Sequence, residues 1–574
     1  MLTLIDFAAV AAGAAPLRCA FGPPRETLVA QRPEQVAPLL DAVQAAARQG
    51  RWCVGALRYE AAAAFDPALA VHPADGPLAW FGVHDAPLPW PEDLPAGGAQ
   101  AQWDDGLARD AFDAGMAAIG RAIAAGELYQ LNYTAQWHGT LRGDPLALFA
   151  ALRRAQPGGY AAFLDTGDEQ LLSVSPELFF DWDGSRLLAR PMKGTAPRGA
   201  TPEEDEAQAG RLRASAKERA ENVMIVDLLR NDLSRVAEPF SVRVPRLFHL
   251  EALPTVWQMT SDVEARTRDG VTLAQVFAAL LPCGSVTGAP KVQAMREIRA
   301  LEPGPRGVYC GAIGVVRPGG AATFNVPIRT VTARGDQLRC GIGSGITADA
   351  TAEGEWREWR HKRAFLDRAS APFELLETLA LQDGALRDAP AHLARLARAA
   401  AHFGYPWDAA RVEARLQGLA QAHLSGLWRV RLRLDAAGQV QAEAYACEPA
   451  PSRVRLALAT RPFEAADSEF VRFKTTRRAH YEAFAPKDPQ VFDTLLWNPR
   501  GELTECTRGN IAVQLGGEWL TPPLACGLLD GVGRRRWLEA GRLREAVVRV
   551  EDLPRATGLA FMNSLRGWIA ADLA

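Results

Sequence analysis

The feature that most constrains the fold is a change of pattern close to residue 371. A charged helical segment over about 351–368 ends there, and RASAPFELLETLALQDG (368–384) begins a new strand-rich pattern. A chain of 574 residues is too long for one hydrophobic core and should divide into domain-sized units. We therefore predict one domain over 1–370, with a short N-terminal part (1–105) and a core (106–370), and a second domain over 371–574.

Composition narrows the class of protein. Hydrophobic residues make up 48% and charged residues 23% of the chain, and the net charge is −3, so nothing indicates binding to nucleic acid or to an anionic membrane. No apolar run approaches the ~18 residues of a membrane span. The N-terminus lacks a basic region and carries Asp6, which is not typical of a signal peptide. Eight scattered cysteines without C-x-x-C favour free thiols in a reducing cytoplasm.

Periodicity in the first domain predicts mixed helices and strands. A helical pattern over 109–126 precedes the strand-like LYQLNYTAQWHG (128–139). The remaining predicted elements are strands at 160–165, 171–175, 177–182 and 186–190, helices within 203–235, two helices within 271–301, and strands at 308–316, 323–333 and 337–342. This order indicates an α+β fold.

Lysine is scarce, which makes each lysine informative. The chain has 58 arginines and only six lysines, which are Lys193, Lys217, Lys291, Lys362, Lys474 and Lys487. An amine can lose its proton and act as a nucleophile, whereas a guanidinium practically never does. Each lysine is therefore a candidate for amine chemistry or for a compact cation, unless compositional drift alone left six of them.

Two carboxylate pairs share one spacing. Glu218 and Glu221 lie three residues apart, as do Glu355 and Glu358, so each pair projects from one face of a predicted helix. Four such carboxylates brought together would require a compensating cation, and oxygen ligands without nearby Cys or His favour Mg²⁺. The alternative is two solvated helix faces whose glutamates pair with neighbouring arginines.

Eight ordered segments between residues 110 and 370 carry a resemblance to the chorismate-utilising enzymes. The segments are GELYQLNYT (126–134), SVSPELFF (173–180), RPMKGTAPRG (190–199), KERAENVMIVDLLRND (217–232), CGSVTGAPK (283–291), CGAIG (310–314), IRT (328–330) and GSGITADATAEGEWRE (343–358). The resemblance implies that Glu221 and Glu358 bind Mg²⁺, with Glu218 and Glu355 close behind through water. The metal would hold the ring carboxylate of chorismate.

Two further positions, Lys193 and Gln130, select an activity within that family. Lysine in P-x-K-G-T, here Lys193, is the mark of the aminodeoxychorismate synthases, and its implied role is attack on the substrate ring before ammonia adds at C4. Such attack requires the lysine pKa to fall from ~10.4, which burial would achieve. Gln130 stands where water-using relatives place a basic lysine, so ammonia is the expected nucleophile. Glu177 matches the general acid for the departing hydroxyl.

Anion binding is predicted around the glycine-rich turn. Free N–H groups at the start of the helix that follows residues 283–288 form an anion site. The resemblance implies a substrate-binding set of Gln130, Ser285, Thr287, Gly288, Arg329, Gly345 and Lys362. Lys291 could bind substrate or cap its own helix, and the sequence leaves both open. Gln258 and Trp359 depart from the family pattern, and the short N-terminal part puts a tryptophan pocket in doubt.

The second domain contains a different set of motifs around Lys474. They are HLARL (392–396), FVRFKTTRRAHY (470–481), TECTRGNIAV (504–513), TPPLACGLLDGVGRR (521–535) and FMNSLRG (561–567). In this order they resemble the fold-type IV pyridoxal-phosphate enzymes, the group of branched-chain aminotransferases and aminodeoxychorismate lyases. We expect a two-subdomain α+β fold.

That resemblance implies a cofactor site for pyridoxal 5′-phosphate. Lys474 would be the Schiff-base lysine and Glu505 the partner of the pyridine nitrogen. The cofactor phosphate would be held by Arg395, the amides of Val532 and Gly533, and Ser564. Gly533 stands where relatives often have threonine, and Tyr481 lies too far along the chain from the lysine for the aminotransferase tyrosine's role to be carried over.

The two resemblances together imply consecutive reactions. The first domain would convert chorismate and ammonia to 4-amino-4-deoxychorismate, and the second would eliminate pyruvate to give 4-aminobenzoate, the folate precursor. Because no glutaminase signature is found, a separate glutamine amidotransferase subunit or free ammonia is expected. The C-terminal domain could also mediate dimerisation. The alternatives are an anthranilate-type synthase with an appended amino-acid aminotransferase, and a C-terminal domain that only binds or dimerises.

Overall fold

The computed structural model describes residues 1–11, 13–92, 94–95, 98–199, 202–253 and 256–574. The chain forms two compact units, Met1–Pro372 and Phe373–Ala574, and the division in the sequence falls next to the predicted boundary. In the described ranges no helix combines the length and apolar character needed to cross a membrane.

The first unit is built mainly from antiparallel strands. The strands are β1 (Thr3–Phe7), β2 (Leu17–Phe21), β3 (Glu26–Ala30), β4 (Trp52–Leu57), β5 (Ala79–His84), β6 (Gln100–Trp103), β7 (Gln130–Arg142), β8 (Tyr160–Asp165), β9 (Gln170–Ser175), β10 (Leu178–Trp182), β11 (Arg186–Arg190), β12 (Met192–Pro197), β13 (Arg243–Ala252), β14 (Val256–Arg266), β15 (Gly288–Ala289), β16 (Ala312–Val316), β17 (Ala322–Asn325), β18 (Thr330–Arg334) and β19 (Gln337–Ile346). They form two sheets. One has the order β15-β7-β19-β18-β9-β8-β1-β2 with β6 on β7, and the other has the order β12-β14-β11-β10-β17-β16-β4-β5-β3 with β13 on β14.

Helices of the first unit cover the sheets. The α-helices are α1 (Val36–Arg48), α2 (Arg109–Ala124), α3 (Pro145–Ala155), α4 (Pro202–Ala214), α5 (Ala216–Ser234), α6 (Leu273–Leu280), α7 (Lys291–Leu301) and α8 (Ala352–Ala369). Caps define several of their ends. The side chain of Ser215 accepts a hydrogen bond from the amide of Glu218 at the start of α5, and Thr351 accepts one from Gly354 at the start of α8. Both carboxylate pairs therefore lie in the first two turns of capped helices.

Alternation along the strands divides the first unit into layers. Ile5 packs with Val54 and Ile313 between the two sheets, whereas Leu4 faces the helical side of its own sheet. On the second sheet, Cys53 likewise points away from Val54 towards the core that α1, α5 and α6 help to form. Because strand side chains alternate between faces, each sheet buries both. The order of layers is helices, sheet, sheet, helices.

Two predicted strands of the first unit are shorter or interrupted. The stretch 323–333 forms β17 and β18, since Pro327 lacks an amide hydrogen and Arg329 adopts a positive φ of 49°. The stretch 308–316 becomes a strand only at Ala312, after Cys310 with φ 64°. The other predicted elements of this region match the structure within a few residues.

The second unit has two sheets. Its strands are β20 (Leu375–Gln382), β21 (Ala385–Leu386), β22 (Leu427–Leu434), β23 (Val440–Ala446), β24 (Arg453–Leu458), β25 (Asp493–Trp497), β26 (Leu503–Cys506), β27 (Asn510–Leu515), β28 (Glu518–Thr521), β29 (Arg544–Glu545), β30 (Gly558–Asn563) and β31 (Gly567–Leu573). The helices are α9 (Ala389–Phe403), α10 (Ala409–Ala422), α11 (Glu469–Arg472), α12 (Ala479–Glu482) and α13 (Val532–Glu539). One sheet is β21-β20-β22-β23, packed on α9 and α10, and the other is the mixed sheet β26-β25-β24-β31-β30-β27-β28-β29. The mixed α and β content agrees with the predicted α+β class.

Candidate active sites

A half-buried, desolvated amine stands at the centre of the first unit's candidate site. Lys193 lies on β12, and its Nζ is close to Gly345 on β19, where an added Cβ atom would be 3.2 Å from that nitrogen. The same Cβ atom would be 2.4 Å from Nε2 of Gln130, so a side chain at position 345 would collide with both. Burial, followed by the charge of Lys362, lowers the pKa of Lys193 below its ordinary value, although Glu177 and two further glutamates oppose the shift.

Gln130 has an unsatisfied amide beside this amine. It is the first residue of β7 and has no solvent exposure, yet neither Nε2 nor Oε1 has a hydrogen-bond partner. Buried polar atoms in native proteins are normally paired, so two unpaired atoms on one side chain suit the binding of a polar ligand. An amide offers both a donor and an acceptor but no group that titrates near neutral pH.

A buried carboxyl group also acts electrostatically on the amine. Glu177 sits between β9 and β10, and Oε1 accepts a 2.7 Å hydrogen bond from the hydroxyl of Ser285. Burial raises the pKa of Glu177 to about 7, against the opposing effects of Ser285 and Lys193. A carboxyl group with such a pKa can donate a proton at neutral pH, as a general acid must.

The glycine-rich turn that holds Ser285 is fixed to the strand of Gln130. Gly288 pairs with Leu131, and the amide of Asn132 donates to the carbonyl of Thr287 at 2.7 Å. The hydroxyl of Thr287 is 3.2 Å from the carbonyl oxygen of Cys283 and so serves the turn itself. Ser285, Thr287 and Gly288 are therefore brought to the site by one short element.

An ion pair and a hydrogen-bonded arginine hold the two ends of this turn. Lys291, whose role the sequence left open, donates to Asp232 at 2.6 Å. Arg306 pairs with Glu302 at 2.7 Å and donates to the carbonyl oxygens of Val286 and Asn132, a group that we call the Arg306 clamp. Sequence spacing gave no sign of the clamp, because its acceptors lie 20 and 174 residues away.

The N-terminal part of the chain supports the clamp. One carboxylate oxygen of Glu60 accepts hydrogen bonds from the amides of Arg306 at 2.8 Å and Gly307 at 3.3 Å. Glu60 is buried, and its burial raises its pKa to about 7. The predicted site is thus supported by residues outside the segments that identified it.

The charges of the four predicted metal ligands influence one another's pKa values. Burial first, and then mutual repulsion, raises the pKa values of Glu218, Glu221 and Glu355. For Glu358 the nearby Lys362 at 2.7 Å outweighs burial and lowers the pKa. Within the described ranges, the ion pairs that Glu221 and Glu358 form on their own helices are with lysines, Lys217 and Lys362, and not with arginines.

The carboxylates have individual partners in this structure. Glu355 accepts from Ser344, Glu221 lies 3.9 Å from Lys217, and Lys362 also donates to the carbonyl oxygen of Gly343. In the part of the chain that the structure describes, no group of three or more His, Cys, Asp or Glu side chains is arranged to hold a metal ion. The donor chemistry nevertheless fits a hard divalent cation, because carboxylates that repel one another are stabilised by one.

Arg329 is another desolvated cation of the first unit. It lies between β17 and β18, and burial, followed by the charge of Arg368, lowers its pKa to about 10. Among the described residues its guanidinium has no hydrogen-bond acceptor. A buried arginine without an acceptor suits a ligand carboxylate.

The two departures from the family pattern have structural partners. Gln258 donates to the carbonyl oxygen of Gly194 at 2.8 Å and is 3.0 Å from the hydroxyl of Thr195, so it braces the residues after Lys193. Trp359 is buried, and its indole donates to Ser344, the residue that also bonds Glu355. Both residues therefore support site residues indirectly.

The second unit has its own desolvated amine, which is half-buried, and a buried carboxyl group. Lys474 follows α11, and burial, followed by the charges of Arg478 and Arg395, lowers its pKa to about 8. Glu505, on β26, is buried, and its burial raises its pKa to about 7. An amine and a carboxyl group with such values can each exchange a proton near neutral pH.

Two residues that the sequence did not assign hold the carboxyl group of Glu505. The hydroxyl of Tyr481 donates to Oε1 at 2.6 Å, and the amide of Asn510 lies 3.4 Å from Oε2. Tyr481 reaches Glu505 because the short helix α12 turns the chain back after Lys474. Only its unusual distance from the lysine could have drawn attention to it.

An arginine and a helix start form a candidate phosphate site. Arg395 makes a two-point ion pair with Glu377, at 2.8 and 2.6 Å, and also donates to the carbonyl oxygen of Asp530. Val532 and Gly533 begin α13, and a Cβ atom added at Gly533 would lie 2.9 Å from the amide nitrogen of Ser564. This close approach leaves several N–H groups near one arginine, which suits a phosphate group.

Each of the two units is similar to a known protein family. Residues 83–368 match the family described as chorismate binding enzyme, and residues 374–572 match the amino-transferase class IV family. The chain is 39% identical over 290 residues to aminodeoxychorismate synthase component 1 of Salmonella typhimurium, covering 50% of this chain and 63% of that protein. It is 38% identical over 284 residues to anthranilate synthase component 1 of Thermus thermophilus, covering 49% and 61%. The chain thus spans about three fifths of the length of these relatives.

A solved structure has the fold of the first unit. The structure of anthranilate synthase component I from Streptococcus pneumoniae matches with a TM-score of 0.53 and 23% identity, covering 64% of this chain and 92% of that chain. At this identity the likeness concerns the fold alone.

Proposed function

We propose that this chain, which joins a chorismate binding enzyme domain to an amino-transferase class IV domain, makes 4-aminobenzoate from chorismate in two steps. The first domain adds ammonia to give 4-amino-4-deoxychorismate, and the second removes pyruvate. The observation that carries the proposal is the Lys193 amine, whose pKa is lowered beside the unsatisfied amide of Gln130. Similarity to aminodeoxychorismate synthase component 1 supports it.

In the first step, Lys193 acts as the nucleophile and Glu177 as the acid. A bond forms between Nζ of Lys193 and the substrate ring while the C4–O bond breaks, and Glu177 gives its proton to the departing hydroxyl, which leaves as water. Ammonia then forms a bond to C4 while the bond to Lys193 breaks, which regenerates the amine, and the proton that the added ammonia loses returns to Glu177. Gln130 cannot remove a proton from water, which favours ammonia as the incoming group.

The proposal includes Mg²⁺ because the four glutamates suit a divalent cation. Glu221 and Glu358 would hold the ion, with Glu218 and Glu355 close behind. When bound, the ion supplies positive charge for a substrate carboxylate. Arg329 and Lys362 add two more positive charges for that anionic substrate.

The second step uses pyridoxal phosphate, which the class IV domain implies. Arg395, Val532, Gly533 and Ser564 would hold its phosphate, and Lys474 would carry it. When bound, the cofactor supplies an electron sink for the loss of a proton from the substrate carbon. Glu505 would face the pyridine nitrogen, and Tyr481 and Asn510 keep that carboxyl group in position.

We further infer that ammonia comes from a separate glutamine amidotransferase. The relatives are called component 1, which implies a second component in those proteins. Dimerisation through the C-terminal domain and a cytoplasmic location are part of the same proposal.

Product analysis tests the function. The purified chain is incubated with chorismate, Mg²⁺, ammonium and pyridoxal phosphate, and the products are separated by chromatography. We expect 4-aminobenzoate and pyruvate in equal amounts. Anthranilate in place of 4-aminobenzoate would favour the anthranilate-type alternative and refute the proposal.

A single substitution separates the two steps. Lys474 belongs to the second unit, so Lys474→Ala should leave the first step intact and 4-amino-4-deoxychorismate should accumulate. The variant should lose the visible absorbance of bound cofactor and should release no 4-aminobenzoate. Lys487→Ala is the matched control, since Lys487 is the other lysine of the second unit. Continued release of 4-aminobenzoate by Lys474→Ala would show that this domain is not the lyase or that Lys487 carries the cofactor.

A further inference from the structure

Arg478 places a positive charge beside the second candidate site. It precedes α12, and its guanidinium lies 4.6 Å from the ring centre of Tyr481, whose hydroxyl bonds Glu505. Its Nη2 donates at 2.5 Å to the carbonyl oxygen of Thr507, two residues after Glu505. Arg478 is therefore held between the Lys474 segment and the Glu505 segment.

The arginine has unused donors. A guanidinium carries five N–H groups, and among the described residues Thr507 is the acceptor found for Arg478. No described Asp or Glu forms an ion pair with it, whereas Arg395 in the same site is paired with Glu377. In the described structure, no unpaired nitrogen of Arg478 is fully buried. Its remaining donors are therefore accessible to a ligand.

We propose that Arg478 binds a carboxylate of the substrate of the second domain. A half-buried guanidinium stacked on an aromatic ring is pre-organised for two-point binding of a carboxylate. The inference rests on the proposed function, because 4-amino-4-deoxychorismate carries two carboxylates, one on the ring and one on the enolpyruvyl group. Arg395 is assigned to the cofactor phosphate, and Arg478 is the second arginine whose charge acts on Lys474.

Steady-state kinetics test this role in the full chain with cofactor bound. For elimination from 4-amino-4-deoxychorismate we expect Arg478→Met to raise KM roughly tenfold or more, because charge-assisted hydrogen bonds are lost. Arg478→Lys should give an intermediate KM, since it keeps the charge but not the two-point geometry. The affinity for pyridoxal phosphate, measured by absorbance titration, should stay unchanged.

The adjacent arginine provides the control. Arg477 packs on the rings of Phe373 and Phe470 at 4.8 Å, away from the Tyr481 ring, so Arg477→Met should leave KM unchanged. An unchanged KM in Arg478→Met would overturn the proposal. The proposal would also be overturned if Arg478→Met weakened substrate binding and cofactor binding to the same extent and lowered the melting temperature. That pattern would indicate a structural role.

A binding measurement separates this inference from the proposed function. Pyruvate and 4-aminobenzoate each carry one carboxylate, and their dissociation constants are measured by calorimetry for Arg478→Met and Arg477→Met. We expect weaker binding of at least one probe to Arg478→Met, and the affected probe identifies the carboxylate. Equal affinities overturn the role of Arg478 even if the chain makes 4-aminobenzoate. Conversely, a chain that makes no 4-aminobenzoate refutes the proposed function, whatever the calorimetry shows.

Discussion

The hydrogen bond from Ser285 to Glu177 makes a quantitative prediction for the first reaction. The bond stabilises the ionised carboxylate, so its loss in Ser285→Ala should raise the pKa of Glu177 further above about 7. A hydrogen bond to a charged group contributes about 1.5–3 kcal/mol, and one pKa unit corresponds to about 1.4 kcal/mol. The expected increase is therefore about one to two pH units.

The direction of the effect follows from the role of the acid. Glu177 must be protonated to donate, so activity falls as pH rises through its pKa, and the alkaline limb of the kcat profile reports that value. Ser285→Ala should move this limb to higher pH. The plateau rate should also fall, because the hydroxyl no longer orients the carboxyl group.

The assay measures formation of 4-amino-4-deoxychorismate at saturating chorismate, with the concentration of neutral ammonia held constant at each pH. Thr287→Val is the control, because its hydroxyl bonds the carbonyl of Cys283 and not Glu177. Its rate could change, but its alkaline limb should match that of the wild-type chain. An unmoved limb in a well-folded Ser285→Ala variant would refute Glu177 as the titrating acid.

Two other predictions concern the metal site and stability. Glu221→Gln or Glu358→Gln should abolish chorismate amination, measured by chromatography over a range of Mg²⁺ concentrations, while supplied 4-amino-4-deoxychorismate is still converted. Near-normal amination at low Mg²⁺ would contradict the metal assignment. Lys291→Met should lower the free energy of unfolding by about 3–5 kcal/mol in denaturant titrations, because it leaves the buried Asp232 without its partner. The double variant with Asp232→Asn should recover part of that loss, and no recovery would mean that the pair is not coupled.

Local pattern predicted much of the first unit but not its interruptions. Apolar alternation is a local property, so strands such as β7 and β8 and the capped helices α5 and α8 could be located from sequence. The break between β17 and β18 depends on the positive φ of Arg329. An arginine in the sequence does not predict such a conformation. Such a conformation is imposed by the surrounding structure.

Candidate site residues could be named from the sequence where the proposed chemistry restricts the residue type. A nucleophilic amine and a general acid require particular side chains, so Lys193 and Glu177 could be named from motifs. Supporting residues such as Arg306, Glu377 and Tyr481 act through hydrogen bonds to partners that are distant along the chain. Many residue types can fill such roles, and only the folded geometry identifies them.

The position of the N-terminal strands has a consequence for dissecting the chain. Similarity to the chorismate binding enzyme family begins at residue 83, yet β1 lies between β8 and β2, and β4 lies between β16 and β5. A fragment cut at the family boundary would leave β8 and β16 as open edges, which invite pairing between molecules. It would also lose Glu60, the acceptor for the backbone of the Arg306 clamp. The homology boundary is therefore not a folding boundary, and aggregation of such a fragment would carry no information about catalysis.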